Sequence, residues 1–356
     1  QSRNVVRFIG CSDVYQRLTA IVYGVLSDGS SRDLTLYSTY FSNDTSVATF
    51  LSNYSPIIIS NQIGVGGIRA EYRGHTTSME PWYPIFVTDE YAGVQAITVS
   101  SNAGDTFSAV AGTNSSLKAG VSFSDGSCYF DVVAGVSSGW IGANSILIFN
   151  SSRPEIISVT SSAVLTLHSN FYEAVELSAI EACGKQLTES VSSYANLLAE
   201  PYDIDMGATV GPPFGIVDVG STLDVPIRVT SSSKDVISFQ VIVTFDPTLV
   251  QVSSDASCFQ GSDWSSSWEC TTNNPINQVL IAGACGLIPS TLCNSVGTLT
   301  VASIRFTVLQ SGFNAFSGIV VKVQDTSFSV SNVPLFAGAD NMLIDGLEYC
   351  NWNREL

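Results

Sequence analysis

The chain has 356 residues, 45% of them hydrophobic and only 13% charged, with 14 basic against 31 acidic side chains and a net charge of −17. That balance excludes a nucleic-acid-binding face, because phosphates require clustered cations and the four lysines (Lys118, Lys185, Lys234 and Lys322) are scattered. The length exceeds one ordinary core and points to several domains.

The first unit is expected to span residues 1–88. "NVVRFIG" at its start is apolar at Val5, Val6, Phe8 and Ile9. It is either the first strand of this unit or a segment that packs on a neighbour's sheet edge. "LTAIVYGVL" reads as a strand, and "LSDGS" at 26–30 as a turn in which Gly accepts the positive φ of a hairpin. "DTSVATFL" alternates, with Val47 and Thr49 on one face and Ala48 and Phe50 on the other. "GVGGIRAEYRG" places Ile68, Ala70 and Tyr72 on one face, and Pro84 in "WYPIFVTD" marks a strand edge or bulge.

A second unit, 89–185, repeats the turn as "FSDGS" at 123–127, offset by 97 residues (124 minus 27). A period near a hundred residues is that of one β-sandwich. The motifs S-D-G-S, D-L-T, S-V-A and the following Gly-led strand resemble the bacterial immunoglobulin-like domains of the second group. The second copy keeps "SDGSCYFDV" but has no clear S-V-A segment.

Residues 186–206 break this rhythm. Leu187, Val191, Tyr194 and Leu198 have helical spacing, while Ser, Asn and Pro201 favour a solvated connector, so a linker or one short helix is expected. The third unit, 207–335, alternates strictly. Phe239, Val241, Val243 and Phe245 face one way, as do Ile304, Phe306 and Val308, and Asp246-Pro247 stops a strand. The set "VPIRV", "FDP", "GTL" and "IRF" is similar to cohesin modules, which implies a jelly-roll sandwich. Residues 336–356 read as a tail that could dock on another subunit. The fold class is therefore all-β, as tandem sandwiches. The module order resembles mastigoneme (flagellar hair) glycoproteins and eukaryotic surface-adhesion ectodomains. It implies an extracellular filament or adhesive subunit, with copies of itself or related surface glycoproteins as partners. The alternative is a cohesin-type module capturing a protein or glycan.

Eight cysteines without a CxxC, and only two histidines, fit disulfides better than zinc. Local pairs Cys258 with Cys270 and Cys285 with Cys293 are expected, with crossed pairing as the alternative. Cys128 could join Cys183. Cys11 and Cys350 then pair with each other, link neighbouring molecules, or pin nearby loops. Sequons at Asn43, Asn53, Asn114 and Asn150 favour a glycosylated, oxidised surface protein. Trp264 and Trp268 are candidates for a sticky surface, or they cover a core under the disulfide loop.

No catalytic motif survives its context. "GVSSG" around Ser137 fits a nucleophile elbow, yet no α/β alternation surrounds it, and His168 and His75 read as surface residues. "GVGG" at 64–67 lacks a strand–helix setting for phosphate, and Asp203 and Asp205 sit without a sugar cleft. No cofactor is expected beyond attached glycans and loosely held Ca²⁺, since no EF-hand pattern occurs. No segment is long enough for a membrane helix, and Gln1 fits a processed chain or a fragment.

Overall fold

The structure is a computed structural model. It describes residues 5–10, 12, 14–76, 82–133, 145–183, 187–231, 235–272, 276–285, 296–314, 316–325, 329–333, 336–337 and 342–345. Its regular elements are β-strands, and among the described residues there is no α-helix.

The first sandwich holds β1 (Val5–Ile9), β2 (Leu18–Thr19), β3 (Tyr23–Val25), β4 (Ser31–Asp33) and β5 (Thr39–Ser42). It continues with β6 (Ala48–Phe50), β7 (Ile57–Ser60), β8 (Gly64–Tyr72), β9 (His75–Thr76) and β10 (Tyr83–Ala92). One sheet runs β1-β10-β8-β5, the other β2-β7-β6, and β3 pairs only with β4. The core between the sheets takes Val6, Tyr40, Ala48, Phe50, Ile58, Ile68, Ala70, Ile85 and Val87. Alternation works as expected for Ala48 and Phe50, but Val47 is also buried, because it lies in the turn before β6. Among the described residues β1 reaches along β10 as far as Phe86, and Pro84 pairs with Gly67 of β8 beyond that register.

The second sandwich holds β11 (Val94–Ser101), β12 (Thr106–Ala109), β13 (Asn114–Phe123), β14 (Cys128–Tyr129) and β15 (Leu147–Ser151). β16 (Ile157–Val159), β17 (Val164–Leu167), β18 (Val175–Glu181) and β19 (Thr188–Leu197) complete it. Its sheets are β11-β13-β17-β16 and β12-β19-β18-β15. β19 lies where a linker or short helix was expected. Val191, Ser193 and Ala195 point inward at every second residue, and this period-2 pattern overrides the helical spacing of Leu187, Val191, Tyr194 and Leu198.

The third sandwich opens with β20 (Ile204–Met206), β21 (Ile216–Asp218), β22 (Thr222–Thr230), β23 (Val236–Thr244), β24 (Val250–Gln251) and β25 (Cys258–Gln260). β26 (Ser267–Thr272), β27 (Gln278–Ala284), β28 (Thr298–Val308) and β29 (Gly312–Asn314) follow. β30 (Ser317–Asp325), β31 (Ser329–Val333), β32 (Phe336–Ala337) and β33 (Met342–Asp345) end it. One sheet runs β24-β28-β22-β20-β32 with β25 also on β28; its partner runs β26-β27-β23-β30-β31. The expected inward face of β23 is buried at Phe239, Val241 and Val243, and Phe245 just beyond the strand is buried too. On β28, Ile304, Phe306 and Val308 are buried as well. β32 pairs with β20, and β33 with β21 and β29, so the segment expected to be a free tail contributes strands to this sandwich.

Candidate functional site

The third sandwich presents one open sheet face. Its geometry follows from strand alternation, because each inward residue of β23, β27 and β30 leaves its neighbours pointing outward. Register aligns them in rows. Thr271, Leu280, Ile242 and Ile319 form one row across β26, β27, β23 and β30. The next row is Glu269, Ala282, Gln240 and Lys322, and the one after it Ser267, Ala284, Ser238 and Gln324. The face is thus an apolar band at Leu280, Ile242 and Ile319 beside a row that carries exposed Glu269 and exposed Lys322. An apolar centre with a polar rim is the usual composition of a protein-recognition surface.

The loop between the paired cysteines stiffens one edge of this face. Cys258 and Cys270 form a disulfide across a separation of 12 residues. Inside that loop Trp264 is 3% exposed, packs edge-on against Phe239 with ring centroids 4.8 Å apart, and donates Nε1–H to Ser267 O at 3.1 Å. Gly283 makes room for both rings. A Cβ there would lie 2.4 Å from Phe239 Cε1 and 2.7 Å from Trp264 Nε1. Above it, Ser267, Trp268, Glu269, Ala282 and Ala284 line a shallow depression of about 260 Å³. Trp264 is therefore a core residue and no sticky surface, since its ring packs on buried Phe239 and its N–H is bonded to Ser267 O. Trp268 is half-buried against the same core.

The opposite sheet is less free. Arg305 makes two 2.7 Å hydrogen bonds to Asp224 and covers Phe259 at 4.9 Å. Those hydrogen bonds hold the Asp224 carboxyl below its ordinary range and raise Arg305. Deeper on that sheet, Arg228 Nε donates to Asp205 Oδ2 at 2.9 Å, and Nη1 to Gly207 O at 2.7 Å. Both side chains are buried, and burial pushes the Asp205 carboxyl upward against the pull of Arg228. Asp205 is thus paired with Arg228, while buried Asp203 accepts the Ile204 N–H at 2.7 Å.

The remaining sequence candidates fall elsewhere. Val6 and Ile9 are fully buried, in the first and second cores respectively, and Phe8 stacks on Tyr15 and Tyr91. Val5 to Ile9 form β1, parallel to β10 at the end of its sheet, so this segment takes the first of its two readings, a strand of the first unit. Asn43, Asn53, Asn114 and Asn150 are all exposed, two on each of the first two sandwiches. Asn43 Oδ1 accepts the Gly67 N–H and Asn114 Oδ1 accepts the Thr166 hydroxyl. Cys128 is an exposed free thiol and is not joined to Cys183, whose Sγ donates to Gly10 O at 2.7 Å. Cys285 is disulfide-bonded, with its partner outside the described residues, as are Cys11, Cys293 and Cys350. Ser137 also lies outside them. His168 Nε2 sits 2.7 Å from Ser158 Oγ on an exposed strand pair, His75 is exposed in β9, and "GVGG" is part of β8. Among the described residues no group of three or more His, Cys, Asp or Glu could hold a metal, and no helix is long and apolar enough to cross a membrane.

Comparison with known proteins singles out the same third sandwich. The family model of the cohesin domain matches residues 208–334. No curated protein is similar to the chain. Among solved structures, the non-cellulosomal cohesin of the hyperthermophilic archaeon Archaeoglobus fulgidus is 17% identical, with 42% of this chain and 94% of that chain covered at a TM-score of 0.31. The third cohesin of ScaC from Acetivibrio cellulolyticus, solved with the ScaB dockerin, is 16% identical over 40% of this chain and 97% of that one, TM-score 0.31. A Clostridium thermocellum complex of the OlpA cohesin with Doc918 gives 12%, 41%, 100% and 0.32 for the same quantities. The alternation read in β23 leaves Gln240 and Ile242 outward, but the alignment of such residues into rows across strands needed the register. The third sandwich is a cohesin-like module carried behind two further β-sandwiches.

Proposed function

We propose that this chain is a non-catalytic, surface-exposed binding protein in which the cohesin-like sandwich captures a protein partner and the two preceding sandwiches act as a spacer. One observation carries the reading. The region that matches the cohesin family has an open sheet face with an apolar band, Leu280, Ile242 and Ile319, beside the oppositely charged Glu269 and Lys322. Sugar placement supports it: all four sequons lie in the first two sandwiches, and none occurs from residue 208 onward. Glycans would then shield the spacer and leave the binding face bare. The disulfide at Cys258 and Cys270 fits an oxidising, extracellular setting.

The test is photo-crosslinking of the intact chain in an extracellular extract, with a benzophenone amino acid at Ile319 or, as control, at Arg305. Crosslinks to one protein from Ile319 alone support the reading, provided Ile242→Asp abolishes them. Equal crosslinking from both faces, or persistence in Ile242→Asp, overturns it. The narrower form of the proposal is a mastigoneme-like filament subunit. It requires self-association, which electron microscopy of the purified chain decides.

A further inference from the structure

The first and second sandwiches are built from the same strands in the same order. β1 and β12 each run parallel to the last strand of their unit, β10 and β19. β8 and β5 repeat as β18 and β15, and the facing strands β2-β7-β6 repeat as β13-β17-β16. Even the turns coincide. Leu26 N–H bonds Ser30 O and Gly29 N–H bonds Leu26 O, while Phe123 N–H bonds Ser127 O and Gly126 N–H bonds Phe123 O. Apart from the short β9 of the first sandwich, the unmatched strand among the described residues is β11, which lies along β13 and pairs from Val94 with Phe123 to Ser101 with Leu117.

Its effect is visible residue by residue at the offset of 97. Leu117, Ala119, Val121 and Phe123 are at most 2% exposed, whereas their counterparts Ala20, Val22 and Gly24 are half-buried and Leu26 is 47% exposed. The main chain of the even-numbered residues is already used: Ala20 N–H bonds Pro56 O, Val22 O accepts from Leu34 N–H, and Leu26 N–H bonds Ser30 O. Strand alternation turns the N–H and C=O groups of Ile21, Tyr23 and Val25 to the other edge. That is the edge at which their counterparts Lys118, Gly120 and Ser122 meet β11. Below it lies a cavity of about 350 Å³ whose lining includes Ala20, Val22, Ile68, Ala70, Tyr83 and Ile85. In the second sandwich Val94, Ile97 and Val99 of β11 pack into the core at this place.

We propose that the edge from Ala20 to Leu26, with the cavity beneath it, is a strand-acceptor site. It takes an extended segment of a partner polypeptide, antiparallel to Ala20–Leu26, whose alternate apolar side chains enter the cavity as those of β11 enter the second core. Main-chain bonds to an open edge supply affinity, and the apolar cavity selects the side-chain pattern. The chain's own β11 is engaged on β13 and does not fill this edge. This site is independent of the open face on the third sandwich.

The probe is a labelled peptide with the sequence of residues 93–102, GVQAITVSSN, titrated into the intact chain and followed by fluorescence anisotropy. Saturable one-to-one binding is expected, with the amides of Ile21, Tyr23 and Val25 newly protected from hydrogen exchange. An Ile97→Lys peptide should bind about tenfold more weakly or worse, because it would bury a charge in an apolar cavity. On the protein, Tyr23→Pro removes one outward N–H and none of the bonds named above. It should weaken binding about tenfold and leave the unfolding profile unchanged. The proposal fails if the peptide does not saturate, if the Lys peptide binds equally, or if protection appears at another edge. It also fails if the chain alone self-associates and the peptide disperses it, since a second copy's strand would then occupy the site.

Discussion

The two joints of the molecule are built on different chemistry. At the first, β10 runs on through Gly93 into β11, and a charged clamp ties the sandwiches together. Arg7 donates to Asp125 Oδ2 at 3.1 Å and to Glu90 Oε2 at 3.0 Å, Gln16 donates to Ser127 Oγ at 2.8 Å, and the Tyr129 hydroxyl donates to Arg17 O at 2.8 Å. At the second, buried neutral groups do the joining. Asn196, 1% exposed, donates Nδ2–H to Ala208 O and Gly211 O at 2.9 and 3.1 Å, and Gly211 N–H bonds Thr106 Oγ1. The 207–215 loop that receives these bonds also covers the Asp205–Arg228 pair. It turns at Gly207, whose φ is +84° and where a Cβ would meet Pro213 O at 2.3 Å. The first joint therefore responds to pH, whereas the second is set by packing and responds to truncation.

The largest expected effect falls on the ion pair that holds the loop of the second joint through Gly207. Asp205→Ala leaves the Arg228 guanidinium buried without its carboxylate and should cost about 3–5 kcal/mol, read as a lower denaturant midpoint for the third sandwich. The double variant Asp205→Leu with Arg228→Met should recover most of that loss, because both desolvation costs disappear together. If the single variant is neutral, the pair is solvated and the account of this joint is wrong.

Next in size is alkaline opening of the first joint. Burial pushes the Tyr129 phenol up to about 12, so the folded chain keeps the proton when the unfolded chain has released it. Stability from this group is complete below about pH 10 and is lost as pH rises toward 12, by about 2–3 kcal/mol. Tyr129→Phe should flatten that part of the curve, measured by chemical denaturation at stepped pH, while Tyr40, likewise held near 12, remains as background. The second joint supplies the next comparison. Asn196→Ala removes two carboxamide hydrogen bonds and should cost about 2 kcal/mol with no pH dependence.

Much of this architecture was legible in the residues. Period-2 alternation gave β23 and β28 with their buried faces, and the repeated Asp-Gly turn gave the tandem of similar sandwiches. What escaped was set by partners distant in sequence. β19 is rich in Ser and Asn, and its strand character comes from pairing with β12 and β18 rather than from composition. Val6 and Ile9 could be read as a first strand or as a segment for a neighbour's edge, because nothing local reveals that β10 lies beside them. Trp264 could be read as a surface anchor or as a cover for a core, and the space left by Gly283 for its ring is not visible in the sequence. The rows on the open face were hidden for the same reason, since register is not written in any one strand.

The smallest expected effect separates the two Asp-Gly turns themselves. Burial works against the Asp125 carboxylate, but hydrogen bonds from Ser127, Gln16 and Arg7 outweigh it and hold its pKa below the usual carboxylate range. The contribution is therefore present above about pH 4 and is lost as pH falls through the lower folded value. Asp28 makes the same local bonds to Ser30 and is also lowered, yet its turn is exposed and none of its hydrogen bonds reaches another sandwich. Hydrogen exchange at the Arg17 amide, which bonds the Tyr129 hydroxyl at 3.2 Å, should quicken in acid once corrected for intrinsic rates. Asp125→Asn should weaken the joint by about 1 kcal/mol at neutral pH and abolish this acid response. Asp28→Asn should leave the Arg17 amide unchanged at every pH. If both variants alter it alike, the acid response belongs to the general charge of the chain, and the clamp at the first joint has no special part in it.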